Sequence, residues 1–282
     1  MNGFNFNRFC KTLRWFFGVN LRSMMMWSSG YVVGVFLGEV LFFALNPNGS
    51  MEIKLQSVGQ FCTVFIMIAL AIGACTFLSD FNKKPKREAF LMLPASNLEK
   101  YLTAILYIAS FFTACVLLSF ALGDTLRMVF RSLVFGDEWV STVPIVAKNL
   151  IPNTMFNDAT HVYSLSFRVM NLFVGYSFLL WMHSLYTLGG TFFRKYAFVA
   201  TSVVLVASLS LLSWVLNHFE VSMFNSQWDG NAFVGEEVGI AAYMLAVVMP
   251  LLSIFNYWAS FHIFKGYQLI TNKWTNYDIL KR

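Results

Sequence analysis

Six long apolar segments constrain the fold of this chain more than any other feature of its sequence. A helix needs about 20 apolar residues to cross the hydrocarbon core of a bilayer. The segments cover residues 24–45, 58–79, 101–122, 167–189, 197–216 and 238–264. Each is continuous rather than alternating, which favours helices over the strands of a membrane barrel. The sequence therefore predicts an all-α, polytopic membrane protein with six transmembrane helices in a single transmembrane domain.

The composition supports this class and excludes the others. Hydrophobic residues make up 57% of the 282 residues and charged residues only 12%, whereas soluble domains carry roughly 25% charged residues. The mean hydropathy is +0.61. Disordered chains are poor in apolar residues, and four cysteines in the whole chain are too few for a disulfide-rich module. A soluble domain, a disordered chain and a disulfide scaffold are all excluded.

The basic residues indicate the orientation of the spans. Six spans place both termini on one side, and the segments on that side carry 15 of the 20 Lys and Arg residues. The five on the other side are Lys54, Arg127, Arg131, Lys148 and Arg168. Because cytoplasmic loops carry the excess of basic residues, we expect both termini in the cytoplasm. The net charge of +6 then reflects topology, so we predict no nucleic-acid partner.

The segments outside the spans have distinct patterns. Residues 1–23 carry Arg8, Lys11 and Arg14 on one helical face and apolar side chains on the other, which predicts an amphipathic elbow helix in the cytoplasmic interface. The alternative is a simple positive flank of the first span. Residues 123–166 form the largest loop, which we expect outside the cytoplasm with short helices on the membrane surface. Residues 265–282 form a cytoplasmic tail.

Motifs for catalysis or metal binding are absent from the sequence. It contains no G-x-S-x-G, no H-E-x-x-H and no Gly-Lys dipeptide, so no Walker A phosphate loop is encoded. The four cysteines and four histidines lack the spacing of a metal site. We therefore predict no enzyme activity, no catalytic residue, no cofactor and no metal. For His183, inside the fourth span, we favour a neutral imidazole bonded to a neighbouring helix over a functional role.

The first span contains a row of small residues and one acid. Gly30, Gly34 and Gly38 are spaced four apart, which lets a second helix approach closely and makes them candidates for a dimer contact or for packing within the chain. Glu39 follows directly and is the intramembrane ionisable candidate. Its carboxylate would bind a cationic substrate or a proton, or it would reach the outer headgroups, which is the interpretation we favour.

The segment between the second and third spans is the most informative. A basic run leads into the apolar residues Phe90, Leu91 and Leu93, and Pro94 then interrupts the helix. Ser96 and Glu99 form an S-x-x-E capping box, which predicts the start of the next helix. The sequence therefore predicts a short amphipathic helix, a turn and a capped helix, with an apolar side offered to the membrane interface or to a docking protein.

This segment resembles a known family. The run R-E-A-F-L-M-L-P-A-S-N-L-E-K-Y-L (87–102) is similar to the coupling loop of ABC-2-type transporter permeases, in which an acidic residue precedes a short helix ending in L-P-(small)-S. The resemblance covers residues 80–106 and the start of the tail. It implies a half-transporter in a bacterial cytoplasmic (inner) membrane, pairing as a homo- or heterodimer and docking a separately encoded ATPase. The implied docking residues are Glu88, Phe90, Leu91, Leu93 and Pro94.

The implied activity is ATP-driven transport, with export of a lipid, peptide or hydrophobic compound as the family-level expectation. The large loop between spans three and four departs from several relatives, which carry theirs between spans five and six. Two other functions fit the residues: a membrane interaction or sensor subunit whose loop binds a different partner, and a proton-coupled secondary transporter that uses Glu39.

Overall fold

The computed structural model describes residues 4–46, 50–79, 84–150, 165–222, 224–229 and 232–266. Within them, six helices are long and apolar enough to cross a membrane, which confirms the predicted all-α polytopic class. Most of the predicted tail and residues 151–164 of the predicted large loop lie outside the described residues.

The elements follow one another as six long helices with short ones between them. In chain order they are α1 (Phe6–Leu45), α2 (Met51–Ser79), α3 (Lys84–Leu91), α4 (Asn97–Leu106), a π-helical turn (Tyr107–Phe112), α5 (Thr113–Phe135), α6 (Val143–Leu150), α7 (Leu165–Phe192), α8 (Ala197–His218), β1 (Phe224–Asp229), β2 (Ala232–Val238) and α9 (Ile240–Lys265). The two strands form an antiparallel hairpin before α9, an element that the sequence analysis did not predict.

Helix α1 differs from the prediction. It runs for 40 residues without interruption, about 60 Å at 1.5 Å per residue, roughly twice the thickness of a bilayer core. Of the predicted elbow over residues 1–23, residues 6–23 form the first half of α1 and continue into the first span within one helix. Asn5 caps this helix, since its side chain accepts hydrogen bonds from the N–H groups of Asn7 and Arg8 at 3.0 and 3.2 Å.

The third span is also longer than its apolar run. The helical path continues from Asn97 through the π-helical turn to Phe135, where Gly136 ends it with φ +70°, a conformation that glycine adopts without steric cost. Helix α5 therefore covers the first 13 residues (123–135) of the predicted outer loop. Helix α6 is the one short helix that the structure describes within that loop, and residues 136–142 connect it to α5.

The described chain divides into two compact units. Unit 1 comprises Met1–Gly73 and Leu91–Leu150, and unit 2 comprises Ala74–Phe90 and Ile151–Arg282. In unit 1, α1 packs along α5 with a close approach at Gly123. A Cβ there would lie 2.9 Å from the Val35 side chain and 3.0 Å from the carbonyl oxygen of Val32.

Aromatic side chains join the first half of α1 to the π-helical turn. The ring of Tyr107 meets those of Phe16 and Phe17 edge to face, with centroids 5.0 and 5.2 Å apart, and Phe17 also meets Phe111 at 4.2 Å. Phe16 and Tyr107 are almost completely buried. These contacts explain why the amphipathic pattern of residues 4–22 produces a packed helix face.

Unit 2 is built around α7, which carries polar side chains toward α8 and α9. Asn256 donates to Ser184 at 3.1 Å, and Thr191 donates to Ser260 at 3.1 Å. His183 Nδ1 lies 2.6 Å from the Tyr257 hydroxyl. The predicted hydrogen bond from His183 to a neighbouring helix is thus confirmed. Such interhelical bonds hold membrane helices together where the bilayer supplies no hydrophobic driving force.

Candidate functional site

The predicted docking segment (residues 88–94) begins inside α3 and ends in the turn that follows. Glu88 is exposed, whereas Phe90 is only 2% exposed and packs edge to face on Phe264 of α9, with centroids 5.6 Å apart. The expectation that Phe90 is offered to a partner is therefore wrong, because its ring is covered within unit 2. The side chain of Leu91 lies outside the described residues.

The turn after α3 carries the exposed part of the segment. Met92 is 85% exposed, the highest value among the large exposed apolar side chains that the structure describes. Leu93 is half-buried and Pro94 is exposed. Ala95 N–H donates to the Leu93 carbonyl at 2.8 Å, which closes the turn. The capping box is confirmed, since Ser96 and Glu99 each satisfy the other's backbone N–H at 3.3 and 2.9 Å.

One carboxylate, that of Glu99, serves the starts of two helices. It accepts the backbone N–H of Ser96, which precedes α4, and that of Asn5, which precedes α1, at 2.9 and 2.7 Å. The Arg8 guanidinium donates to the same carboxylate through Nη2 at 2.7 Å and through Nε at 3.2–3.3 Å. Glu99 is completely buried. The amino-terminal end of α1 is thereby fixed to the start of α4.

Two of the three glycines in the α1 row pack against another helix of the same chain. A Cβ at Gly34 would lie 3.5 Å from the ring of Phe65, and one at Gly38 would lie 3.3 Å from the ring of Phe61. Both rings belong to α2. Only at Gly30 is there open space, with nothing within 4 Å of the added Cβ. Of the three dimer-contact candidates, Gly30 alone leaves an uncovered surface.

Glu39 lies in a buried charged cluster of unit 1. Its side chain is completely buried, and Oε2 accepts a hydrogen bond from Arg127 Nε at 2.9 Å. Cys62 Sγ donates to Oε1 at 3.2 Å. The Arg127 guanidinium also lies 5.2 Å from the centre of the Phe43 ring, a favourable cation–π distance. The favoured interpretation that Glu39 reaches the outer headgroups is therefore wrong.

Asp124 is the second acid of this cluster. Arg127 Nη2 donates to it at 2.6 Å and Ser141 Oγ at 2.6 Å, while the Thr142 backbone N–H approaches at 3.2 Å. Thr142 Oγ1 lies between the two acids, 2.9 Å from Asp124 Oδ1 and 3.1 Å from Glu39 Oε1. Two carboxyl groups therefore share one guanidinium. Thr142, directly before α6, donates its backbone N–H to Asp124 and has one hydroxyl proton to donate to either acid.

Sequence reasoning missed the partners of Glu39. Asp124 and Arg127 were assigned to an outer loop because the apolar run ends at residue 122, although the helix continues beyond it. Two signals pointed to the cluster. Asp124 and Arg127 are three residues apart, the spacing of a helical ion pair, and an acid inside a span requires a buried cation or hydrogen-bond donor.

The six apolar helices define the chain as a polytopic membrane protein. Its two candidate sites are the predicted docking segment and the buried charged cluster. Within the described ranges, no group of three or more His, Cys, Asp or Glu side chains is arranged to hold a metal ion. Comparison with known proteins does not add a family, since no family model, curated protein or solved structure matches the chain.

Proposed function

We propose that this chain is the permease subunit of an ATP-driven ABC transporter in a bacterial cytoplasmic membrane. A separately encoded ATPase docks on residues 88–94 and hydrolyses the ATP, and two permeases pair around the transport path. The observation that carries this proposal is the short helix α3 with its exposed turn, which joins the second spanning helix to α4, the capped start of the third. This arrangement accompanies the sequence resemblance to ABC-2-type permeases.

The docking surface in this proposal is the exposed part of the segment. Glu88, Met92 and Pro94 are accessible, whereas the buried Phe90 anchors α3 against Phe264. A partner that moves residues 91–94 of unit 1 would displace the start of α4, which follows them in the chain. The Glu99 carboxylate would then carry that displacement to the amino-terminal end of α1, because it binds the first residues of both helices.

The proposed cargo is inferred from the class of transporter and not from the geometry of a binding site. Export of a lipid, peptide or hydrophobic compound suits a permease whose described spans are predominantly apolar. Of the glycine row, Gly30 alone leaves an uncovered surface, which either a second permease or a membrane lipid would cover.

Co-purification with the ATPase tests the proposal. The ATPase is encoded beside this gene if the assignment is right, and it carries a Walker A motif. Met92→Ala should weaken its binding by about tenfold or more, since truncating a central apolar anchor costs at least about 1–2 kcal/mol. Tyr196→Ala is the matched control, because Tyr196 is a 75% exposed large side chain in another interhelical turn. Equal binding by Met92→Ala and the intact chain would contradict docking at this segment.

Phe90→Ala is a weaker test than the sequence alone indicated. Truncating a buried aromatic side chain costs about 3–5 kcal/mol of folding stability, so reduced co-purification would also follow from a loosened α3. We still expect this variant to bind less ATPase, and Leu91→Ala likewise. Their folded fraction must be measured first, by size-exclusion chromatography at equal expression.

The two other functions make different predictions. A sensor or interaction subunit would have no ATPase gene beside its own and would capture another partner through residues 88–94. A proton-coupled transporter would work without any ATPase, and Glu39→Gln would abolish transport while the protein remained folded. Transport that continues after ATP depletion, driven by a proton gradient, would favour the latter.

A further inference from the structure

Unit 1 contains a cavity of about 160 Å³ among α1, α2, the π-helical turn and α5. Protein interiors are close-packed and have few voids larger than a water molecule, which occupies roughly 30 Å³ in the liquid. The lining has no charged side chain. It includes Ser28 and Tyr31 from α1, Phe65 and Ala69 from α2, Phe112 from the π-helical turn and Ser119 from α5.

The cavity adjoins a groove on the lipid-facing surface of α1 and α2. A groove of about 360 Å³ lies beside Gly30 and shares Trp27, Tyr31 and Phe65 with the cavity. Met26 and Trp27 at the groove are 61% and 45% exposed. On a spanning helix, exposed apolar side chains face the acyl chains of the bilayer, so the groove faces lipid and borders the cavity through the residues that line both.

One of the residues that line the cavity carries a polar atom without a hydrogen-bond partner among the described residues. The Tyr31 hydroxyl is buried, and it makes no hydrogen bond to any residue that the structure describes. Its ring is held parallel to that of Phe65, with an interplanar angle of 8° and centroids 5.0 Å apart. A buried hydroxyl without a partner is costly, so an acceptor atom on a bound molecule would be stabilising here.

The inner wall depends on an unusual backbone. The π-helical turn places Phe112 at the cavity, and Gly73 of α2 makes room for that ring, because a Cβ at residue 73 would overlap it. Single π-helical turns inside α-helices occur frequently at functional sites. Two independent departures from regular packing therefore meet at this wall.

We propose that the cavity binds one acyl chain of a membrane lipid, which enters through the groove beside Gly30 and whose ester carbonyl accepts a hydrogen bond from Tyr31. A second copy of the chain could cover the groove, but its surface could not fill a cavity that lies behind α1 and α2. An acyl chain would fill both the groove and the cavity. This inference does not rest on the proposed transport function, since the bound lipid requires neither an ATPase nor a transport cycle.

Photolabelling tests the proposal with the full chain in phosphatidylcholine vesicles. A small fraction of the lipid carries a diazirine on its acyl chain, and the labelled residues are mapped by mass spectrometry. We expect enriched labelling of residues 27–31 and 65–72. Ala69→Phe, which fills the cavity, should reduce that labelling at least fivefold. Val203→Phe, on a 64% exposed position of α8, is the control and should leave it unchanged.

A second variant keeps the test informative if Ala69→Phe folds poorly. Tyr31→Phe retains the stacked ring and removes only the hydroxyl. It should lower labelling by an ester-linked lipid several-fold and leave labelling by the ether-linked analogue unchanged. Labelling spread evenly over all exposed spans and unaffected by these variants would overturn the proposal. Crosslinking of two copies through Gly30→Cys, without enriched lipid labelling, would assign the groove to a second copy instead.

Discussion

Arg127 of α5 bonds Glu39 of α1 across the interior of unit 1, with 2.9 Å between Nε and Oε2 and both side chains almost completely buried. This pair joins the carboxyl-terminal part of α1 to the extension of the third span beyond its apolar run. Through Asp124 and Thr142 the same cluster also fixes the start of α6. This end of unit 1 is therefore held by charge as well as by apolar packing.

Loss of Arg127 should destabilise the protein strongly. Arg127→Met would leave two carboxyl groups buried without their cation, and breaking a buried pair from one side costs about 3–5 kcal/mol. Arg131→Met is the matched control. Arg131 pairs with Asp137 at a partly exposed site, so its loss should cost at most about 1 kcal/mol. Thermal unfolding in detergent compares the two, and equal shifts would contradict a structural role for the cluster.

Glu39→Gln should be milder than Arg127→Met. The amide oxygen can still accept from Arg127, whereas the charge is removed and one acid, Asp124, remains to balance the guanidinium. We expect a folded protein with normal ATPase co-purification and less than half the unfolding shift of Arg127→Met. Transport measured in vesicles then decides the role of the acid. Lost transport with normal assembly would make Glu39 a cargo or proton site.

The Glu99 carboxylate should protect the backbone amides at the start of α1 from hydrogen exchange with solvent. Arg8→Ala removes its charged donor and should expose the amides of the first turns, since hydrogen bonds to charged groups contribute about 1.5–3 kcal/mol. Arg14→Ala, at an exposed position of the same helix, serves as the control. Hydrogen exchange of peptides covering residues 5–12 measures the difference. Unchanged exchange in Arg8→Ala would show that α1 is held without this contact.

Two glycines of unit 1 should respond differently to the same substitution. Gly123→Ala places a methyl group 2.9 Å from Val35 and 3.0 Å from a backbone oxygen of α1, and such overpacking costs about 1–3 kcal/mol. Gly30→Ala meets nothing within 4 Å and should leave stability unchanged or slightly raised, because alanine favours helix. Equal stabilities of the two variants would contradict the close approach of α1 and α5.

The expected topology can be tested with cysteine labelling in intact cells. Cys10 is exposed near the amino terminus, and it should react with an impermeant maleimide only after the cells are permeabilised. Glu138→Cys, in the exposed connection between α5 and α6, should react before permeabilisation. Reaction of Cys10 in intact cells would reverse the predicted orientation.

The apolar runs were sufficient to predict the class and number of the spans. All six spans were located, because a segment of about 20 apolar residues is long enough to cross the hydrocarbon core whatever the rest of the chain does. The capping box at Ser96 was also local, since both of its partners lie within one helical turn. The hydrogen bond of His183 to another helix followed from the cost of an unpartnered polar group inside a span.

Helix ends and long-range partners were decided by tertiary structure. Composition shows that the apolar run of the third span stops at residue 122. It does not show that α5 continues beyond this point, where Arg127 bonds Glu39, 88 positions away in the chain. The burial of Phe90 likewise depends on Phe264, and the shared use of Glu99 depends on Asn5 and Arg8. The sequence alone determined which segments enter the membrane, because each segment partitions by its own hydrophobicity. Only the fold determined which polar and aromatic side chains meet, since those contacts join residues far apart in the chain.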